Sequence, residues 1–260
     1  MKKCLLIAVL VLSGSLMAMT ADEIMSRVDQ VKTPSTLQSN MTMILVDNKG
    51  KQRIRAMQSQ SADMGSYDAS LLFFLEPADV KGTGFLMKDY KAANEDDDQW
   101  MFLPSLGKAK RIAGSDKTGS FMGSDFSYAD MSKRNLEDWQ FKLLKEDEVN
   151  DQKVWVIEAL PVSEAVVEKT GYVKTISYVR QDNFLPIRGI NYLEKKGEVK
   201  LLNVAETKLI NGYWINTKVQ MISQKNGKTV HRTQMSTTDI IVDANIDQNS
   251  FTLNRLEQGL

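Results

Sequence analysis

The chain of 260 residues is poor in the groups on which most catalysis depends. It has one cysteine, Cys4, and one histidine, His231. A single thiol can form neither an internal disulfide nor a multi-cysteine zinc site. His231 sits in the strand-like stretch "TVHRTQ" without a second histidine or a cysteine beside it, and reads as a surface or hydrogen-bonded residue. Lys-Thr-Gly at 117–119 stands without the Ser-x-x-Lys and Ser-Asp-Asn partners of penicillin-binding sites. The acidic run "NEDDDQ" at 94–99 lacks the alternating ligands and glycine of a calcium loop, so it reads as a solvated turn. Nothing assembles into nucleophile, base and oxyanion donor, which points to a binding protein with no catalytic residue, cofactor or metal. Basic and acidic residues balance at 33 each. They are scattered, with no dense cationic stripe, so nucleic acid is excluded as a partner. Only five prolines are present and no flexible linker divides the chain.

One apolar run exists, and it is short. Lys2 and Lys3 precede Leu5–Leu12, and small residues Ser13, Gly14 and Ser15 follow. A basic start, an apolar stretch too short to span a bilayer and a small-residue exit predict a secretory signal peptide over 1–20, cleaved near 18–21. Cys4 lies ahead of the apolar run and leaves with it; an acylated lipoprotein would need its cysteine at the far end. The expected product is a soluble periplasmic protein. Thr20 and Glu23 offer a capping box for a helix over 22–32, where Ile24, Val28 and Val31 share a face and Pro34 ends the run.

Beyond Pro34 the period changes to two. "LQSNMTMILVD" and "KQRIRAMQSQ" flank the turn "DNKG", predicting a hairpin over 36–60. Twelve or so strand-like stretches follow one another, separated by turns such as Asn-Gly, Lys-Gly and Asp-Asn. That pattern predicts one mainly β domain over 21–260: a single large antiparallel meander without βαβ crossovers. A sheet so wide must curl. The simplest form is a strongly curved sheet, an incomplete and open β-barrel. Its concave face would be lidded by the few short helices available: 22–32, the 127–136 region and "DQNSFTL" near the end.

"GSFMGSDFSYADM" (119–131) is loop-like in its glycine, serine and aspartate, yet it carries Phe121, Met122, Phe126, Tyr128 and Met131. Ser127 can cap a short helix whose third residue is Asp130, with Lys133 and Arg134 towards its far end. Two readings stand: a mobile flap over an apolar cavity, or a fixed loop whose aromatics plug the core. Most of the fourteen methionines lie beyond residue 20. Such adaptable side chains suit a cavity for ligands of variable shape, and equally suit ordinary core filling.

Three stretches together carry a family resemblance. "KGTGFL" (81–86), "LPSLGKAKRIAG" (103–114) and above all "GSDFSYADM" (123–131) resemble the outer-membrane lipoprotein-sorting branch of the LolA/LolB-like superfamily. The similarity runs to "FTLNRLE" at 251–257. It implies an open β-barrel with helices lidding an apolar concave face. It also implies a periplasmic carrier that binds acyl chains of a lipoprotein or lipid and delivers them towards the outer membrane. Association of this branch with RND-type (MMPL-like) exporters implies such a membrane partner, and with it the alternative of a sensing adaptor that moves nothing. Family carriers retain cargo with a cavity arginine; Arg53, Arg55 and Arg111 are the candidates. Alternation nominates Met41, Met43, Leu45, Leu72, Phe74, Trp100 and Phe102 as cavity lining, the opposite face being the alternative. Phe121, Met122, Phe126, Tyr128 and Met131 are the expected lid.

Overall fold

The computed structural model describes residues 19–92 and 95–259. The expected signal peptide at 1–18 lies outside the described residues. Helix α1 (Ala21–Asp29) opens with the expected capping box: the Thr20 hydroxyl accepts from Glu23 N–H, and the Glu23 carboxylate accepts from Thr20 N–H. Its apolar face, Ala21, Ile24 and Met25, is buried.

Six strands follow: β1 (Thr36–Asp47), β2 (Gln52–Asp63), β3 (Tyr67–Glu76), β4 (Gly84–Tyr90), β5 (Asp98–Leu103) and β6 (Lys108–Arg111). After a long irregular connection come seven more. These are β7 (Trp139–Val149), β8 (Gln152–Pro161), β9 (Tyr172–Arg180), β10 (Pro186–Leu193), β11 (Glu198–Ile210), β12 (Tyr213–Lys225) and β13 (Lys228–Val242). The Asn-Gly pairs at 211–212 and 226–227 have positive φ at both positions, the backbone that a two-residue hairpin loop needs to match strand twist.

All thirteen strands form one antiparallel sheet that does not close into a barrel. The expectation of a single meander is corrected. Two meanders, β1–β6 and β7–β13, are joined because the first strand pairs with the last, with Met43 opposite Met235 and Leu45 opposite Thr233. β6 and β7 therefore become the two free edges, and residues 112–138 must travel from one to the other.

That crossing shows how far the sheet curls. Tyr128 and Ser132 touch Gln99 on β5, while Asp130 between them touches Tyr172 on β9. Laid flat, the nine strand spacings between β5 and β9 would span about 43 Å. Five extended residues reach only about 17 Å. The face on which this segment lies is thus the inside of a deep trough. α1 and a short helix α2 (Glu164–Thr170) pack on the same side, against β7–β9.

Two helical expectations change. The 127–136 region forms only a single turn at Ala129–Met131, because the chain becomes extended at Ser132 to reach the far side. α2 was not foreseen, although Ser163 before it and Gly171, left-handed at φ 79°, are ordinary start and stop signals. The C-terminal helix α3 (Leu253–Gln258) lies on the outer face, not over the concavity. There Leu256 and Phe251 cover Leu71, Phe73, Leu86 and Phe102.

α3 sits so close to the sheet that a Cβ on Gly84 would lie 2.6 Å from Leu256 Cδ1 and 2.7 Å from Phe73. Gly84→Val is expected to lift α3 and cost about 1–3 kcal/mol, read as a lower Tm. Gly114→Ala, which meets no atom within 4 Å, should leave Tm nearly unchanged.

Candidate functional site

Alternation on the strands sends Met43 and Leu45 (β1), Met57 (β2), Leu72 and Phe74 (β3), and Phe85 and Met87 (β4) to the inner face. From the other half of the sheet come Met221 and Met235. The 112–138 segment lies on this floor. Phe121, wholly buried, meets Phe85 edge-on at 5.1 Å and Tyr128 at 5.6 Å between ring centres. Phe126 is buried in the same cluster, and Met41, Met122, Tyr128 and Met131 pack against it partly exposed. The expected lining residues Met41, Met43, Leu45, Leu72 and Phe74 thus share one cluster with the expected lid. Trp100 and Phe102 do not. Strand parity turns them to the outer face beneath α3, and their neighbours Gln99 and Met101 face inward instead.

Polar contacts hold the segment in place as firmly as its aromatics do. Asp125, only 2% exposed at its side chain, accepts from Ser223 Oγ at 2.6 Å and Thr233 Oγ1 at 2.7 Å. His231 Nδ1 lies 2.7 Å from the same carboxylate, and Asp125 N–H donates to Thr233 Oγ1 at 3.0 Å. A carboxylate this deeply buried is tolerable because both of its oxygens meet hydrogen-bond partners. Arg55 donates to the carbonyl of Met122, whose φ of 51° is uncommon for a bulky residue, and its guanidinium lies over the Phe74 ring. Burial lowers the basicity of Arg55. Arg53 is exposed and Arg111 pairs with Asp98, so Arg55 is the only one of the three arginines covered by the lid.

Gln99, fully buried, donates to the Tyr128 carbonyl at 2.9 Å and to Ser132 Oγ at 3.1 Å. Its acidic neighbours are not the idle turn expected of them. Lys117 Nζ donates to the Asp97 carbonyl, and Asp97 reaches the cavity described next.

Beside the lid, reaching from the β4–β5 turn across to β9–β12, lies a cavity of about 600 Å³. Phe126, Leu202 and Met221 form its apolar wall, continuous with the buried floor. Its polar wall includes Tyr172, Arg134 and Asp89. Tyr172 donates to Asp130 at 2.7 Å, and burial raises the phenol's pKa. Arg134 donates to Thr175 Oγ1 at 3.1 Å and stands 4.7 Å over the Trp139 ring; among the described residues no carboxylate comes within ion-pair distance of it. Burial lowers its basicity, with Tyr172 and Asp130 opposing. Burial pushes the Asp89 carboxyl up to about 7, against the pull of Lys133 N–H, which donates to it at 2.6 Å; the charges of Asp97 and Asp68 add to the rise. Among the described residues, no group of three or more histidine, cysteine or acidic side chains is placed to hold a metal.

Sequence reasoning missed Asp125, Ser223 and Thr233, and it missed Arg134 as a cavity group. A buried aspartate inside an aromatic-rich loop was the available signal. Its partners lie about a hundred residues away and nothing local marks them.

Asp125→Ala should leave His231, Ser223 and Thr233 unpaired and release the lid at a cost of about 3 kcal/mol. Hydrogen exchange should then accelerate over 119–131 before it does in the strands. Asp89 gives a second expectation. The folded protein holds this proton more tightly than the unfolded chain, so its contribution to stability is full below pH 4 and is lost as pH rises to about 7. Asp89→Asn should match the parent in Tm at pH 4 and exceed it at pH 8, by about 2–4 kcal/mol in unfolding free energy.

Comparison with known proteins places this geometry. A family model described as that of an uncharacterized protein matches residues 66–258. A domain from Vibrio parahaemolyticus, described as an outer membrane lipoprotein-sorting protein domain, is 30% identical. It covers 91% of this chain and 98% of its own, with a TM-score of 0.82. A DUF1329 family protein from Desulfovibrio piger is 28% identical over 91% of this chain and 97% of its own, with a TM-score of 0.81. A LolA superfamily protein from Nitrosomonas europaea, at 21% identity over 91% and 99% of the two chains, shares the fold with a TM-score of 0.67. No curated protein matches the chain. By its likeness to the Vibrio domain the chain belongs to the family of outer-membrane lipoprotein-sorting protein domains, and it shares its open-sheet fold with the LolA superfamily protein.

Proposed function

We propose that this protein is a periplasmic carrier, exported by its N-terminal signal, that binds acyl chains of a lipoprotein or lipid and delivers them towards the outer membrane. The supporting observation is the cavity of about 600 Å³ whose apolar wall, Phe126, Leu202 and Met221, runs without a break into the methionine-rich floor under the lid. That volume lies within the ~300–1,000 Å³ of small-molecule sites. An acyl chain would enter along this wall and extend by displacing Phe121 and Phe126 from the floor. Met41, Met43, Leu45, Leu72 and Phe74 would then contact cargo instead of lid. Trp100 and Phe102, on the outer face, take no part.

Transfer energetics favour such an exchange. A long acyl chain in water carries a penalty of order 10 kcal/mol, at about 0.8 kcal/mol per CH₂. The lid's own occupancy is worth a similar amount. Two phenylalanines contribute about 1.5–3 kcal/mol each, and the charge-assisted bonds to Asp125 about 1.5–3 kcal/mol apiece. Cargo and lid therefore compete on nearly level terms, so neither loading nor release has to cross a deep well. An inner-membrane exporter of the RND/MMPL type is the proposed source or regulator of loading.

Phe126→Asp should weaken binding of a fluorescent fatty acid more than tenfold, with the strand signal in circular dichroism unchanged. Binding equal to the parent's would remove the lid from the mechanism. Vesicle-to-vesicle transfer by catalytic amounts of protein identifies a carrier; stoichiometric partner binding without transfer identifies an adaptor.

A further inference from the structure

In an antiparallel sheet alternate turns lie at the same end, and here the two ends differ in charge. At one end the β1–β2 turn carries Lys49 and Lys51, the β5–β6 turn is followed by Lys108 and Lys110, and the β12–β13 turn is flanked by Lys225 and Lys228. Lys81 on the β3–β4 turn and Lys195 and Lys196 on the β10–β11 turn continue the row. These side chains are all exposed. The tips adjoin in space: Asn226 N–H donates to the Gly197 carbonyl, and a Cβ on Gly82 would lie 3.2 Å from Pro104. Glu198 pairs with both Lys195 and Lys225; Lys49, Lys51, Lys81, Lys108, Lys110 and Lys228 have no carboxylate within 4 Å among the described residues. Asp47, Glu76, Asp79 and Glu194 lie on these same turns, so with Glu198 five carboxylates stand against nine lysines and the end keeps a net positive charge. At the opposite end Asp63 and Asp68 pair with Lys91, Asp182 pairs with Arg180, and Asp151 stands beside Lys153, so no surplus of lysine gathers there.

Two further features belong to the cationic end. Leu106, at the tip of the β5–β6 hairpin beside Lys108 and Lys110, is 57% exposed. The lid's fastening is here too: His231, bonded to Asp125, shares a cleft of about 210 Å³ with Leu45, Asp47, Lys51 and Arg53.

We infer that the lysine-bearing hairpin tips form a docking rim for an anionic phospholipid bilayer, with Leu106 entering the headgroup region. Lysines spread over separate tips suit a diffuse, extended surface of negative charge, and an exposed leucine between them gains by leaving water. The opposite end, where acids and bases balance, faces away, and this difference orients the molecule. Docked in this way, the protein brings the Asp125 fastening of its lid next to the bilayer. The inference stands apart from the cargo reading, since a carrier and an adaptor would dock alike.

The test is co-sedimentation of the protein, purified from the periplasm of cells expressing the whole chain, with phosphatidylcholine vesicles and with vesicles of equal parts phosphatidylcholine and phosphatidylglycerol. Binding is expected only to the anionic vesicles, and should weaken with salt as charges are screened. Lys108→Glu combined with Lys110→Glu should reduce it on the order of tenfold or more at unchanged Tm. Lys153→Glu, at the opposite end, should leave it intact. Equal binding to both vesicle types, or the same loss from Lys153→Glu, overturns the rim. No binding to either overturns the bilayer as occupant and leaves an acidic protein face in its place.

Discussion

Pairing of the first strand with the last is the constraint on which the rest of the molecule depends. With β1 hydrogen-bonded to β13, the free edges fall to β6 and β7, strands adjacent in sequence but at opposite margins of a thirteen-stranded sheet. The residues between them have to cross the inner face. That crossing is possible only because the sheet curls, and once made it holds the curl by tying β5 to β9 through a few residues. The inner face is thereby filled by the protein itself, with a cavity left where the filling ends.

The filling is of two kinds, and they act differently. Phe121 and Phe126 occupy a floor of methionine, leucine and phenylalanine with little directional demand, so another hydrocarbon can take their place. Asp125 is directional: Ser223, His231 and Thr233 meet it from one side, and no apolar ligand can reproduce those bonds. Apolar exchange and polar fastening thus reside in neighbouring residues of one segment. A segment held by hydrophobicity alone would be displaced by any greasy surface. The fastening also shares a cleft with Lys51 and Arg53, close to the hairpin tips that carry the lysines.

Legibility from sequence followed the range of the interactions. The capping box of α1, the first hairpin and the Asn-Gly turns depend on residues a few positions apart, and the chain folds there as its local pattern demands. The open curved sheet was also legible, because so many strands with so few helices leave little else. Which residues face inward was legible only in part. Met43, Leu45, Leu72 and Phe74 fell together, but Trp100 and Phe102 are as apolar as any lining residue. Only their register against Leu86 and Gly84 sends them outward under α3.

The sequence alone determined the strands, their turns, the aromatic character of 119–131 and the scarcity of catalytic groups. All of these are properties of short windows or of composition. Tertiary structure decided that β1 meets β13, that 112–138 is a crossing strap and not a surface loop, and that Asp125 and Arg134 are interior groups. It also decided that lysines of five separate turns share one end. Each of these depends on which strand lies beside which, and in a meander that follows from a single long-range pairing that no local pattern encodes.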